Sequence, residues 1–169
     1  MQSNEITLNF ARFLLLVLVQ VFLLNNINLA GYVNPYVYIL FILLYPTTGN
    51  QSLLIFLGFL LGLSVDIFED SGGVHAAACT FAAYIRPSVL KYSFGFSYEH
   101  NNIKLKTAAA SERLTYVTSI VFIHHLVMFA LEIFSFHQII LVLKSTLFSG
   151  IFTVVLILGS LILFTKKTK

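Results

Sequence analysis

Gly58-Phe59-Leu60-Leu61-Gly62-Leu63-Ser64-Val65-Asp66-Ile67-Phe68-Glu69-Asp70 is the stretch on which the fold turns. It is apolar or small until it reaches Asp66, Glu69 and Asp70, and a second apolar run opens directly after, at 72. Such a pattern places an acidic cluster at one edge of a membrane bundle. Residues four apart share a helix face, so Gly58, Gly62 and Asp66 fall on one stripe. Small residues let a neighbouring helix come close, which puts the Asp66 carboxylate in that contact and away from lipid. The following run offers a matching face in Gly72, Gly73, Ala76, Ala77, Ala78, Ala82 and Ala83. The expectation is a tight helical hairpin packed through Gly58, Gly62, Gly73 and Ala77. Generic helix packing is the plainer reading of the same glycines. Asp66 keeps two readings, a carboxylate that caps the next turn or a buried group that binds a partner, ion or substrate. Glu69 and Asp70 read as solvated loop residues.

Working outward, 58% of the 169 residues are hydrophobic and only 10% are charged, which no ordinary water-soluble domain approaches. Further apolar runs cover 10–24, 36–45, 114–136 and 139–164. Each long one approaches the roughly 20 residues that cross a hydrocarbon core of about 30 Å. These runs predict an all-α polytopic membrane bundle of about six transmembrane helices in one domain, 1–169. The helices are expected near 8–25, 35–46, 52–68, 72–86, 112–136 and 139–164, with a cytoplasmic loop at 87–111. The first run reads as a retained helix rather than a signal peptide, since no small-residue cleavage pattern follows it. Pro35 opens the second segment and Pro46 closes it, as proline does at helix starts and just past helix ends. That segment spans only about 16 to 18 Å as a helix, so it thins the bilayer, borrows flanking residues or stays partly re-entrant.

Basic residues gather in two places. Arg86, Lys91, Lys104, Lys106 and Arg113 share the long polar stretch with Tyr92, Phe94, Phe96 and Tyr98, and Lys166, Lys167 and Lys169 end the chain. Beside membrane helices this mixture reads as a cytoplasmic interfacial loop, not a nucleic-acid surface. With six crossings the loop and both termini lie in the cytoplasm.

Glu132 and Lys144 fall near the acidic edge, where a Glu132–Lys144 or Asp66–Lys144 pair would neutralise the lysine; the alternative is a lysine snorkelling alone to the interface. His124 and His125 point about 100° apart on one helix, so they cannot grip one ion as an i, i+4 pair does, and they read as interhelical hydrogen-bonding groups. His75 could serve the acidic cluster. Cys79 is the single cysteine and cannot form an internal disulfide. No phosphate loop, Gly-x-Ser-x-Gly or His-Glu-x-x-His pattern occurs, so neither an enzyme, a metal nor a cofactor is expected.

The order of a first helix, then Asn34-Pro35-Tyr36-Val37-Tyr38-Ile39-Leu40, then the Gly58 to Phe68 stretch quoted above, then Gly73 and an alanine-rich helix, resembles the rod-shape-determining membrane protein family MreD. The resemblance covers the whole chain, and its most specific part is the Gly62-to-Asp66 end of the third helix followed by the small-residue fourth. It departs from the family pattern at Tyr36 and in the acidic Glu69-Asp70 turn. It implies a non-enzymatic scaffold in the bacterial inner membrane, involved in cell shape and cell-wall elongation. The implied partners are the lipid bilayer, an MreC-like bitopic protein, MreB, a RodA-type polymerase and its transpeptidase. The family is also similar in fold to the substrate-binding membrane subunits of vitamin transporters, so a small-molecule-binding subunit is the second hypothesis.

Overall fold

The computed structural model describes residues 2–25, 27, 29, 31, 33–95, 105 and 108–163. Among these the chain is helical, with one isolated bridge between Leu29 and Val33. Helix α1 (Gln2–Val19) continues into a π-helical turn, Gln20–Leu24. A 3-10 turn (Val37–Ile39) leads into a short α2 (Leu40–Leu44). Then come α3 (Gln51–Glu69), α4 (Val74–Phe94), α5 (Ala110–Ile133) and α6 (Ile139–Leu163). Among the described residues, four helices are long and apolar enough to cross a membrane: Thr7–Leu24, Gln51–Glu69, Ala110–Ile133 and Ile139–Leu163. Helix α4 has the length but carries His75, Arg86 and Lys91.

Helices α3 to α6 pack in chain order, each against the next, and α1 packs against the short second segment. The core is largely apolar, but burial departs from that of a water-soluble protein in two ways. Large apolar side chains such as Leu15, Phe22, Ile67, Phe134, Ile140 and Val155 are exposed, while Gln20, Asp66, His75, Arg86, His124, His125, Ser149 and Thr153 are buried. Lipid favours this arrangement, because apolar surface facing hydrocarbon costs nothing and polar groups must find partners within the protein.

The second segment is shorter than 35–46. Its helical part, 37–44, rises about 13 Å, well short of the roughly 30 Å of a hydrocarbon core. Tyr38, Ile39 and Ile42 are wholly inaccessible, so the segment is embedded in the bundle. Irregular backbone at such depth is stable only if its polar groups are satisfied by protein. They are. Asn34 N–H donates to Ser149 Oγ (3.2 Å), Tyr36 N–H to Thr153 Oγ1 (3.0 Å) and Val37 N–H to Gln20 Oε1 (2.9 Å). Pro35 has no N–H, and its carbonyl accepts from Gln20 Nε2 at 3.1 Å.

Helix α4 runs past the expected end at 86, through Pro87 to Phe94, which shortens the loop and corrects its 87–111 bounds. Proline in a helix frees the carbonyl four residues back. That carbonyl, on Ala83, accepts from Gln51 Nε2 of α3 at 2.7 Å, so the helix continues without an orphaned acceptor. Lys104 and Lys106 lie outside the described residues.

Helices α3 and α4 meet at Gly58 and Gly62. A Cβ on Gly58 would lie 3.2 Å from the Cys79 carbonyl oxygen and 3.3 Å from Ala83 Cβ, while one on Gly62 would collide with the His75 carbonyl and Ala76 Cα. The partners on α4 are thus His75, Ala76, Cys79 and Ala83, which recur at helical spacing. Gly73 and Ala77 are not part of that contact. Gly73 caps α4 at φ 95° with open space around it, and Ala77, a further 100° round from Ala76, is exposed on an apolar groove with Ile55, Phe59, Leu63 and Phe81.

Candidate functional site: a buried polar framework

Helix α4 starts behind a glycine, which offers no side chain to its first N–H groups. Asp66 of α3 supplies the missing cap. Its Oδ1 accepts from His75 N–H (2.9 Å) and from the Ser71 hydroxyl (2.5 Å), and its Oδ2 accepts from Ala76 N–H (2.8 Å). A carboxylate beside a helix N-terminus also meets the positive end of the helix dipole. Of the two readings left open for Asp66, capping is the one with a geometry. The close α3–α4 approach at Gly62, one turn earlier, is what brings the carboxylate to these amides.

The neighbouring carboxylate was expected in solvent and is not. Glu69 ends α3 with its side chain 21% exposed, and its Oε2 lies 2.8 Å from His75 Nε2, the sole ion-pair contact among the described residues. His75 Nδ1 is 2.7 Å from the Tyr38 hydroxyl, which is 3.0 Å from His124 Nε2. His124 Nδ1 then lies 3.5 Å from His125 Nδ1. His125 Nδ1 can only donate to the Val121 carbonyl (2.8 Å), which leaves its Nε2 to accept from the Thr153 hydroxyl at 3.1 Å. The chain therefore runs from Glu69 at the rim to the threonine that holds Tyr36 N–H. Tyr36 packs its ring against His75 and His125, with centroids 5.5 and 5.4 Å apart.

A second polar knot closes the other end of α2. Arg86, expected in the basic loop, is buried within α4. Its Nε donates to Tyr116 Oη at 2.8 Å and its Nη2 to the Tyr45 carbonyl, while Tyr116 Oη donates to the Leu43 carbonyl at 3.4 Å. A cation is favoured there because the last carbonyls of α2 have no helical partner and carry the negative end of its dipole.

Glu132 and Lys144 are both exposed, and among the described residues neither pairs with the other or with Asp66. The Asp66 oxygens are already occupied by α4. The two histidines diverge towards different neighbours, the second segment and α6, as their 100° separation requires. Tyr38 was missed as the hub. Its signal in the sequence was a tyrosine in the middle of a segment too short and too apolar to face water, where a hydroxyl must find a partner.

Comparison of the chain with family models, with curated proteins and with solved structures finds no match.

Proposed function

We propose that the chain is a non-enzymatic scaffold of the MreD type in the bacterial inner membrane, acting in the complex that elongates the cell wall and sets cell shape. One observation carries this reading. The residues on which the resemblance rests, Gly58 to Asp66 and the small-residue helix after them, form a single packed and capped hairpin, with Gly62 against the α4 backbone and Asp66 on the α4 amides. A partner set of an MreC-like bitopic protein, MreB, a RodA-type polymerase and a transpeptidase follows from that resemblance. The basic residues favour a cytoplasmic α4–α5 connection and cytoplasmic termini.

Crosslinked native membranes and complementation of a strain lacking its own MreD-type protein test this. The expected result is co-purification with a bitopic membrane protein and restored rod shape. Retention of a tight small ligand, with neither partner nor shape recovered, would replace the scaffold by the transporter-type subunit.

A further inference from the structure

Polar atoms buried without a partner are rare in a folded protein, and each raises the question of what satisfies it. Ser93 Oγ, in the last turn of α4, and Arg113 Nε, in the first turn of α5, are two such atoms. Cys79, Arg86 and Ser93 recur every seven residues and so share one face of α4, while Arg113, Val117, Ile120 and His124 share one face of α5. The register between the two faces is antiparallel. Cys79 Sγ meets His124 Nε2 at 3.8 Å, and seven residues further along α4 the Arg86 Nε meets the hydroxyl of Tyr116, eight residues back along α5, at 2.8 Å. One more turn at the same register brings Arg113 opposite Leu90, a turn short of Ser93. The Phe94 ring packs on that of Tyr116, with centroids 5.8 Å apart, so the end of α4 covers this stretch of α5. Cα–Cβ bonds tilt towards a helix N-terminus, which leans Arg113 outwards along the seam and Ser93 back towards it.

The charge around these atoms is positive. Arg86 is 3% exposed, its partners are the neutral Tyr116 hydroxyl and Tyr45 carbonyl, and among the described residues no carboxylate pairs with it or with Arg113. Glu112 leaves α5 about 100° round from Arg113. Ala109, which caps α5, offers no side chain to the first amides, so the positive end of that helix dipole adds to the field. Lys91 and Tyr92 are exposed just before Ser93, and basic and tyrosine side chains together mark the level of lipid headgroups. We infer that Arg113 and Ser93 form a binding site for a phosphate group at the basic end of the α4–α5 seam.

Each part has a distinct task. The Arg113 Nε–H is one arm of the side-on fork with which a guanidinium grips two oxygens of a phosphate, and the Ser93 hydroxyl donates to a third. Arg86, two turns deeper than Ser93, acts through its charge alone. A fork demands a pair of acceptors in one plane, so lysine, a point charge, is a poor substitute at 113. Basic pockets between helices at a membrane surface suit anionic headgroups, and dissolved phosphate carries the same oxygens. This site is independent of the scaffold reading.

Phosphorus–nitrogen dipolar NMR of the full chain tests it in nanodiscs of three kinds: phosphatidylcholine alone, phosphatidylcholine with added inorganic phosphate, and equal parts of phosphatidylcholine and phosphatidylglycerol. Arg113 Nε should couple to phosphorus. Coupling that needs phosphatidylglycerol, the result expected, assigns the site to an anionic headgroup; coupling that appears with inorganic phosphate alone assigns it to the dissolved ion, and coupling in every sample to any phosphodiester headgroup. Native mass spectrometry of the chain released from the mixed nanodiscs then reads retained phosphatidylglycerol. Arg113→Lys, which keeps the charge and removes the fork, should lower retention about tenfold, the scale of one hydrogen bond to a charged group, and Ser93→Ala should lower it by less. No coupling to Arg113 Nε in any sample, or undiminished retention in Arg113→Lys, would overturn the site. The coupling in the parent chain alone decides this if a variant fails to insert.

Discussion

Asp66 shows how a single side chain can be placed correctly by sequence spacing and still have its role decided elsewhere. Its stripe with Gly58 and Gly62 was legible, because spacing of four fixes a helix face whatever the helix packs against. Its partners were not, because a capping carboxylate that comes from the preceding helix leaves no local sequence signature: the N-cap position itself is Gly73, and the carboxylate lies seven residues upstream of it. The consequence is testable. Asp66→Ala leaves two buried N–H groups of α4 unpaired, a loss of about 1 to 3 kcal/mol each for buried donors. Unfolding of the purified chain in mixed detergent should show a clear loss for Asp66→Ala, and Lys144→Ala should stay within about 0.5 kcal/mol, as an exposed unpaired side chain does. Equal effects at the two positions would mean that the acidic edge is not organised by Asp66. Glu69 was misread for a related reason. A charged residue at the end of an apolar run looks solvated unless the histidine six residues later is known to turn back onto it.

At the scale of elements, the helical segments found among the described residues were readable from hydropathy, and the departures have local physical causes. Helix α4 passes Pro87 because Gln51 takes up the carbonyl that the proline frees, a long-range compensation that proline statistics do not contain. Gln51→Leu should therefore weaken α4 beyond Pro87, read as faster amide exchange in the last two turns of that helix and not in α3. The α3–α4 seam makes a sharper prediction. A methyl group on Gly62 collides with backbone atoms, which cannot turn aside, whereas one on Gly58 meets the Cys79 carbonyl oxygen at 3.2 Å and Ala83 Cβ at 3.3 Å, a tight contact that a small shift relieves. Gly62→Ala should cost about 1 to 3 kcal/mol, the range of overpacking a tight contact, and Gly58→Ala distinctly less. Equal stability of the two variants would contradict the packing described for this hairpin.

For the molecule as a whole, the interior is organised around the second segment. Composition points towards the bilayer, and the four candidate spanning helices among the described residues are compatible with a membrane protein. Composition does not show that the polar residues scattered through α1, α4, α5 and α6 converge on one short stretch. Gln20 and Thr153 are far apart in sequence and look unremarkable in their helices, yet they hold the amides at 36 and 37. Arg86 and Tyr116 hold the carbonyls at the opposite end. The polar side chains thus replace the helical hydrogen bonds that a broken segment lacks, as hydrocarbon requires.

Hydrogen exchange of the Tyr36 and Val37 amides in nanodiscs tests this arrangement most directly. Both should be strongly protected in the parent chain. Gln20→Leu should release Val37 without releasing Tyr36, and Thr153→Val should do the reverse. Rapid exchange of both amides in the parent would contradict it, because the segment would then lie in water and the side chains of α1 and α6 would have no backbone to satisfy.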